Sequence, residues 1–443
     1  MKNLVYGLGE SGLSAIRALL DDGQEVLAAD SQDTERLRKA LAELSVPGRL
    51  AADTEVLEEV DRIVVSPGIS PLDPILEAAE AKNIPIISEV ALGLELLGPE
   101  VKVVGVTGTN GKTTVVDMIQ TILSEVNIPH TVAGNSWRAL TGCVEEAQNT
   151  GILVLEVSSF QLHYLENASF EISALLNVRP DHLNWHRSFE EYVADKLRVF
   201  DGQVAGDLSL VSAFDPFGRS AATDLSSEVL VIGELYTGVK DNALVLHGDT
   251  LAHCAELKFT GKHNYENALF AAATAERLGV PLTDLRDGLM NYRLKPHRME
   301  LVGEREGVLY VDDSKATNPA AAAAALESSK APVVLILGGS KKETEFAEIL
   351  PHMELCRAVI CQGEAGGVIL EYLIGAGWGS LVYRARDLTH AVTIADDLCQ
   401  PGDTVLLSPG CASFDQFAGY EERGQTFSRL VLSGREPRQV VRS

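Results

Sequence analysis

Short apolar runs alternate with amphipathic stretches along most of the chain. Leu4 to Tyr6 is followed by a helical pattern over Leu13 to Leu20, and then by the apolar runs Glu25 to Ala29 and Arg62 to Val65. Strands and helices in alternation predict a parallel sheet with helices on its faces. A second unit of this kind starts at Val101 and includes Ile152 to Leu155, and Gly261 to Arg277 reads as a loop entering an alanine-rich helix. At Leu294-Lys295-Pro296 the pattern breaks, because Pro296 restricts Lys295 and discourages a continuous helix. Beyond it Val308 to Val311, Val333 to Leu337, Ala358 to Cys361 and Thr404 to Leu407 are again strand-like, separated by helical stretches such as the alanine run Ala320 to Ala325. The pattern predicts an α/β protein of three domains, at about 1–97, 98–295 and 296–443.

A length of 443 residues agrees with that count, and 46% apolar against 23% charged residues is enough to build packed interiors. The net charge of −26 excludes general nucleic-acid binding, which needs a basic surface. A phosphate can still bind locally, where a helix N-terminus meets a few cations. The six cysteines form no close pair of the kind metal sites and redox motifs use, and are expected to be reduced thiols. Gly7, Gly9 and Glu10 interrupt the apolar start, and no apolar run reaches bilayer length. A soluble cytoplasmic chain with no membrane span is therefore expected.

The apolar strand Val103 to Val106 leads into Thr107-Gly108-Thr109-Asn110-Gly111-Lys112-Thr113-Thr114, after which Val115, Met118, Ile119, Ile122 and Val126 share one helical face. Strand, glycine loop and helix is the order a phosphate cradle requires. Gly108 and Gly111 let backbone N–H groups turn inward, Lys112 can reach the β- and γ-phosphates, and the Thr113 hydroxyl can bind magnesium. The usual spacing would place the first glycine at Val106; Gly105 comes one residue too early, so the loop is a variant. Glu156 ends an apolar strand, where its carboxylate could meet a metal beside Thr113. His182 lies in a polar loop with Asn177 and Asp181, and Lys196 reads as an ordinary solvated lysine.

Gly7-Leu8-Gly9-Glu10-Ser11-Gly12 follows a strand and opens a helix, with Asp30 near the end of the next strand: a full dinucleotide fingerprint. It supports a rival reading, an NAD-dependent oxidoreductase, which would leave the lysine loop unused. A nucleotide-binding module without catalysis would leave the carboxylates and lysines idle.

The loop Gly108 to Thr113 resembles the ATP loop of the Mur ligase family. Further matches follow in family order: Glu156 to Gln161, Asn177 with Asp181-His182, Lys196-Leu197-Arg198, Gly261 to Asn267, Pro296-His297-Arg298 and Asp312 to Asn318. Within the family, Ser159 to Leu162 and Leu407 to Phe417 are most similar to the branch that adds D-glutamate. The resemblance implies a Rossmann-like N-terminal domain, a central P-loop ATPase-like domain and a Rossmann-like C-terminal domain. It also implies an ATP- and Mg2+-dependent ligase, expected as a monomer, that phosphorylates UDP-N-acetylmuramoyl-L-alanine and joins D-glutamate to it. Thr113, Glu156, His182 and a carbamylated Lys196 would form the metal site, and Asn264, Asn267, Arg298 and Asp313 would meet the nucleotide. Ser11, Asp30, Ser31, Ser66, Pro67 and Gly68 would hold the uridine diphosphate end, with Asn135 and Ser158 also on the substrate. Lys315, Thr317, Lys342, Ser413 and Tyr420 would receive the amino acid. In Ser340-Lys341-Lys342 an acidic residue often precedes the lysine in the family, so either lysine could take the role, and Lys342 is favoured. Gln32 stands where a basic residue is often found.

Overall fold

The computed structural model describes residues 1–165, 169–183, 185–234, 236–329, 332–341 and 346–433. They form two compact units, one of Met1–Leu257 with Asn264–Tyr292, the other of Lys258–His263 with the chain from Arg293 onward.

The first unit opens with β1 (Lys2–Tyr6), β2 (Glu25–Asp30), β3 (Gly48–Leu50), β4 (Arg62–Val65) and β5 (Ile86–Ser88), ordered β3-β2-β1-β4-β5 and all parallel. The central strands β1 and β4 read as continuous apolar runs because helices cover both faces of such a sheet. Helix Glu10–Asp21 turns Gly12, Ala15, Ile16 and Leu19 inward, the spacing of one helical face. The next sheet holds β6 (Lys102–Thr107), β7 (Thr131–Gly134), β8 (Ile152–Glu156), β9 (Ile172–Leu175), β10 (Leu208–Ser212) and β11 (Glu228–Ile232). Its order is β11-β10-β9-β6-β8-β7, also parallel throughout. One apolar core joins the two layers: Val5, Ile16 and Leu19 cluster with Leu140, Leu153 and Phe170 through helix Glu89–Leu96. Truncating any such leucine to alanine would cost about 2–5 kcal/mol.

Three antiparallel strands complete this unit, β12 (Gly238–Lys240), β13 (Ala243–Leu246) and β14 (Asp249–His253), which the helix–strand alternation did not predict. Their two-residue turns, Asp241-Asn242 and His247-Gly248, have positive φ at both positions, the hairpin turn that matches strand twist.

In the second unit, β15 (Glu300–Arg305), β16 (Val308–Asp312), β17 (Val333–Gly338), β18 (Cys356–Gln362), β19 (Val382–Arg384) and β20 (Thr404–Leu407) are ordered β15-β16-β20-β17-β18-β19. All are parallel except the edge strand β15. The last strand, β20, is thus inserted between β16 and β17, and both β17 and β20 are wholly buried. Helix Pro319–Ser328 starts where the Asn318 side chain accepts from Ala321 N, with Pro319 at its first position. Among the described residues no helix is long and apolar enough to cross a membrane.

Candidate active site

The loop after β6 lies at the carboxyl end of a central strand, where ligands of open α/β sheets bind. Helix Lys112–Glu125 begins within it, at the lysine. Gly111 has φ +90°, and a Cβ there would sit 2.6 Å from Asn267 Oδ1, so only glycine fits. Gly105, early for the loop, has another task. A Cβ on it would come within 2.8 Å of the buried Phe170 ring, so its role is packing under the sheet. The loop after β9 fixes the phosphate loop: Asn110 N donates to Asn177 Oδ1 at 2.9 Å, and Arg179 N to Thr109 Oγ1 at 2.9 Å. The Tyr192 hydroxyl lies 2.8 Å from that same threonine oxygen. Asn264 and Asn267 are both buried on helix Lys262–Arg277, which starts ahead of Asn264 and leaves it inside the first turn.

Two lysines meet on one backbone oxygen. Lys112 Nζ donates to the carbonyls of Gly108 (2.8 Å) and Thr109 (3.0 Å), and Lys196 Nζ donates to Gly108 at 2.8 Å. The reading of Lys196 as a solvated lysine is corrected here, since it is only 2% exposed. Its helix, Phe189–Leu197, turns this face inward and is capped by Ser188. Burial, and after it the charge of Lys112, lowers the Lys196 pKa well below the usual 10.5, against the pull of Asp181 and Asp195. Asp195 is itself clamped, with His163 Nδ1 at 2.8 Å and His186 Nδ1 at 3.1 Å.

Glu156 is 1% exposed, and its carboxylate accepts from Asn135 Nδ2 (3.0 Å), Ser136 Oγ (2.8 Å) and Trp137 Nε1 (3.2 Å), all neutral donors. Ser136 Oγ in turn accepts from Thr113 Oγ1 at 3.4 Å. A buried carboxylate joined through one hydroxyl to the first turn of the phosphate-loop helix offers hard oxygen ligands, which fit magnesium. His182 has positive φ and packs edge-on to Phe160, 4.8 Å between ring centres, with its side chain 46% exposed. Glu156 and His182 belong to no cluster of three or more His, Cys, Asp or Glu ligands among the described residues. The Ser158 hydroxyl is engaged locally, capping helix Ser159–His163 in a reciprocal pair with Gln161.

In the first sheet, Gly12 allows the helix to meet the strand: a Cβ there would lie 2.0 Å from the Gly7 carbonyl, which also accepts from Ser66 Oγ at 2.6 Å. Asp30 receives Leu8 N at 2.7 Å and Gln32 N at 2.9 Å, so its carboxylate braces the glycine loop. Ser11 and Pro67 are half-buried nearby in sequence and fold, and Ser31 and Gly68 are exposed.

In the second unit, Asp313 accepts from Ser408 Oγ (2.8 Å) and Met299 N (3.2 Å), and burial pushes its pKa from 3.8 up to about 7. Arg298 sits between two positive-φ residues, His297 and Met299. Lys315 Nζ lies 4.0 Å from the centre of the Tyr420 ring, Ser413 is buried and Thr317 half-buried. Lys342 lies outside the described residues. Ser136, Trp137 and Tyr192 escaped the sequence reading. The first two directly follow Asn135, which is the signal that could have found them.

A glycine loop with its lysine at a strand end, a buried carboxylate beside it and a second lysine, buried on a neighbouring helix and bonded to the same loop, define an enzyme that handles nucleoside-triphosphate phosphates. Comparison with known proteins gives three successive matches: the Mur ligase MurD-like N-terminal domain over residues 1–88, the Mur ligase middle domain over 106–275, and the Mur ligase glutamate ligase domain over 297–411. The UDP-N-acetylmuramoylalanine--D-glutamate ligase of Rubrobacter xylanophilus is 61% identical over 431 residues, 97% of this chain and 98% of that one. The ligase of the same name from Pelotomaculum thermopropionicum is 36% identical over 98% of this chain and 97% of its own. Among solved structures, MurF ligase from Thermotoga maritima in complex with ADP matches at TM-score 0.61 and 18% identity, over 92% of this chain and 96% of that one, a likeness of fold. The chain belongs to the Mur ligase family. It is an ATP-dependent ligase, and the oxidoreductase reading of Gly7 to Gly12 falls with that assignment.

Proposed function

We propose that this ligase joins D-glutamate to UDP-N-acetylmuramoyl-L-alanine in cytoplasmic peptidoglycan precursor synthesis, acting as a monomer. The observation that carries the chemistry is the convergence of Lys112 and Lys196 on the Gly108 carbonyl, in a chain 61% identical to a D-glutamate ligase. ATP lies along the backbone N–H groups of Gly108 to Thr114, with Lys112 on its β- and γ-phosphates. The family resemblance assigns Asn264 and Asn267 of the first unit, and Arg298 and Asp313 of the second, to the nucleotide. Thr113, Glu156, His182 and Lys196 would hold magnesium, which supplies charge neutralisation as the γ-phosphoryl group moves to the acceptor carboxylate. The D-glutamate amine then attacks the acyl carbon, the bond to the phosphate oxygen breaks, and phosphate leaves. Ser11, Asp30, Ser31, Ser66, Pro67 and Gly68, in a domain spanning about 1–97, hold the uridine diphosphate end, and Asn135 and Ser158, in the central domain of about 98–295, also meet the substrate. Lys315, Thr317, Lys342, Ser413 and Tyr420, in the domain from about 296 onward, receive the glutamate.

Lys196 carries a carbamate in this reading. Its burial favours the neutral amine, the form that adds carbon dioxide and then loses a proton to leave an anionic N-carboxylate. That exchange turns the repulsion from Lys112 into attraction and adds an oxygen ligand for magnesium. The test of the function is a panel of UDP-linked muramoyl acceptors against D- and L-amino acids, read by phosphate release. D-glutamate with UDP-N-acetylmuramoyl-L-alanine should be fastest; faster turnover with L-alanine, a diamino acid or a folate substrate would overturn the assignment.

A further inference from the structure

The second unit buries a charged side chain that its position on a C-terminal helix would lead one to expect in solvent. Arg423, on the first turn of helix Tyr420–Ser433, is 0% exposed and heads the largest fully buried side chains. Its guanidinium is shared between two loops. Nε donates to Ser314 Oγ at 2.9 Å and Nη2 to the Ser314 carbonyl at 2.7 Å, while Nη1 donates to the carbonyls of Cys411 (3.0 Å) and Ala412 (3.2 Å). A third loop is drawn to the same point: Ser340 N donates to the Ala412 carbonyl at 2.9 Å, and a Cβ on Gly339 would lie 2.2 Å from that oxygen.

These loops leave the carboxyl ends of β16, β20 and β17, three neighbouring strands. Such a crevice is where an open parallel sheet binds ligands. The first loop carries Lys315 and Thr317, and the second carries Ser413. The helix that supplies Arg423 also supplies Tyr420, whose ring lies under Lys315 and whose carbonyl accepts from Ser314 Oγ at 2.9 Å. The next residue seats the helix: a Cβ on Gly424 would fall 2.1 Å from His297 Nδ1, which is bonded to Asp312 at 2.7 Å. A guanidinium buried for packing alone would be poorly chosen, since removing it from water is costly and an apolar side chain would fill the space. Four directed bonds in a rigid fork instead fix the relative positions of two loops, and the bond from Ser340 N to the Ala412 carbonyl ties the third to them.

We propose that Arg423 is a positioning residue for the incoming amino acid, holding the loops that bear Lys315, Thr317 and Ser413 in the arrangement that receives the two glutamate carboxylates. The proposal rests on the D-glutamate ligase reading above. Arg423 itself does not touch the ligand.

The test measures kcat and KM for D-glutamate, ATP and the UDP-linked acceptor separately, together with melting temperature, in the full chain and in Arg423→Lys and Ser314→Ala. Arg423→Lys should raise the D-glutamate KM by about tenfold or more, and Ser314→Ala by about threefold to tenfold, with the other two KM values unchanged to within about twofold. A purely structural role would lower the melting temperature and active fraction without selecting one substrate. If D-glutamate KM stays within about twofold in both variants, or all three KM values move together, the hub is refuted. Should Arg423→Lys fail to fold, Ser314→Ala decides by the same criterion. Failure of the unaltered chain to turn over D-glutamate would instead refute the ligase assignment.

Discussion

Replacing Asp313 by asparagine should make the protein more stable above neutral pH and leave it unchanged in acid. The carboxyl group is buried, and removal from water outweighs its bonds from Ser408 and Met299, raising its pKa from 3.8 to about 7. Because the folded state holds its proton more tightly than the unfolded chain, the contribution is fully present below about pH 4 and lost as pH rises toward 7. At about 1.4 kcal/mol per pH unit, that rise corresponds to about 4 kcal/mol lost by the unaltered protein at pH 8. Asparagine has the same shape, can still accept from Met299 N, and can donate to Ser408 Oγ, whose hydroxyl rotates. Urea unfolding followed by circular dichroism at pH 4.5, 6 and 8 would give the difference between Asp313→Asn and the parent, in which other titrating groups cancel. The difference should grow with pH in favour of the variant. A difference that is flat with pH would show that Asp313 is ionised at little cost, and the burial argument would fail.

Three further outcomes follow from the phosphate loop. Lys112→Ala should lower kcat by about 100-fold or more with an unchanged circular dichroism spectrum, and near-normal turnover would remove the loop from the mechanism. Gly111→Ala forces a side chain into the left-handed region and against Asn267, costing about 1–2 kcal/mol in melting experiments and raising the ATP KM; a neutral substitution would contradict the clash. Lys196→Ala should be nearly inactive and partly restored by a small carboxylate in solution. The parent incubated with 13C-bicarbonate should show a carbamate resonance that the variant lacks, and a fully active parent without that resonance would end the proposal.

The parts of this architecture set by local pattern are legible in the chain itself. The runs that form β1, β4, β6, β8, β17 and β20 are continuous and apolar because central parallel strands are buried on both faces. The hairpins β12 to β14 escape such a reading because they interrupt the helix–strand rhythm, although Asp241-Asn242 and His247-Gly248 carry a turn signal. The edge strand β15 reads as Glu-Leu-Val-Gly-Glu-Arg, half solvated and without a buried run. Residue type alone does not reveal the burial of Lys196 or Arg423. Each is surrounded by segments far away in sequence, Gly108 in one case and Ser314 in the other, and only the fold makes them neighbours. Gly105 shows the converse, a glycine whose place near a motif suggests the loop and whose actual partner is Phe170.

The insertion of β20 between β16 and β17 has a consequence for how the protein is made. A ribosome that has finished β17 has released two strands that share no edge, since the strand that pairs with both is still to be translated. Long-range pairing of this kind is slow, and until Thr404–Leu407 emerges the nascent unit exposes two unpaired apolar edges to chaperones and to other chains. The first unit, by contrast, has its last residues in hand by Tyr292 and can fold while the rest is being translated. A chain stopped before residue 404 would therefore be a folded first unit dragging an aggregation-prone tail, and the cell would meet it as a substrate for degradation rather than as a partial enzyme.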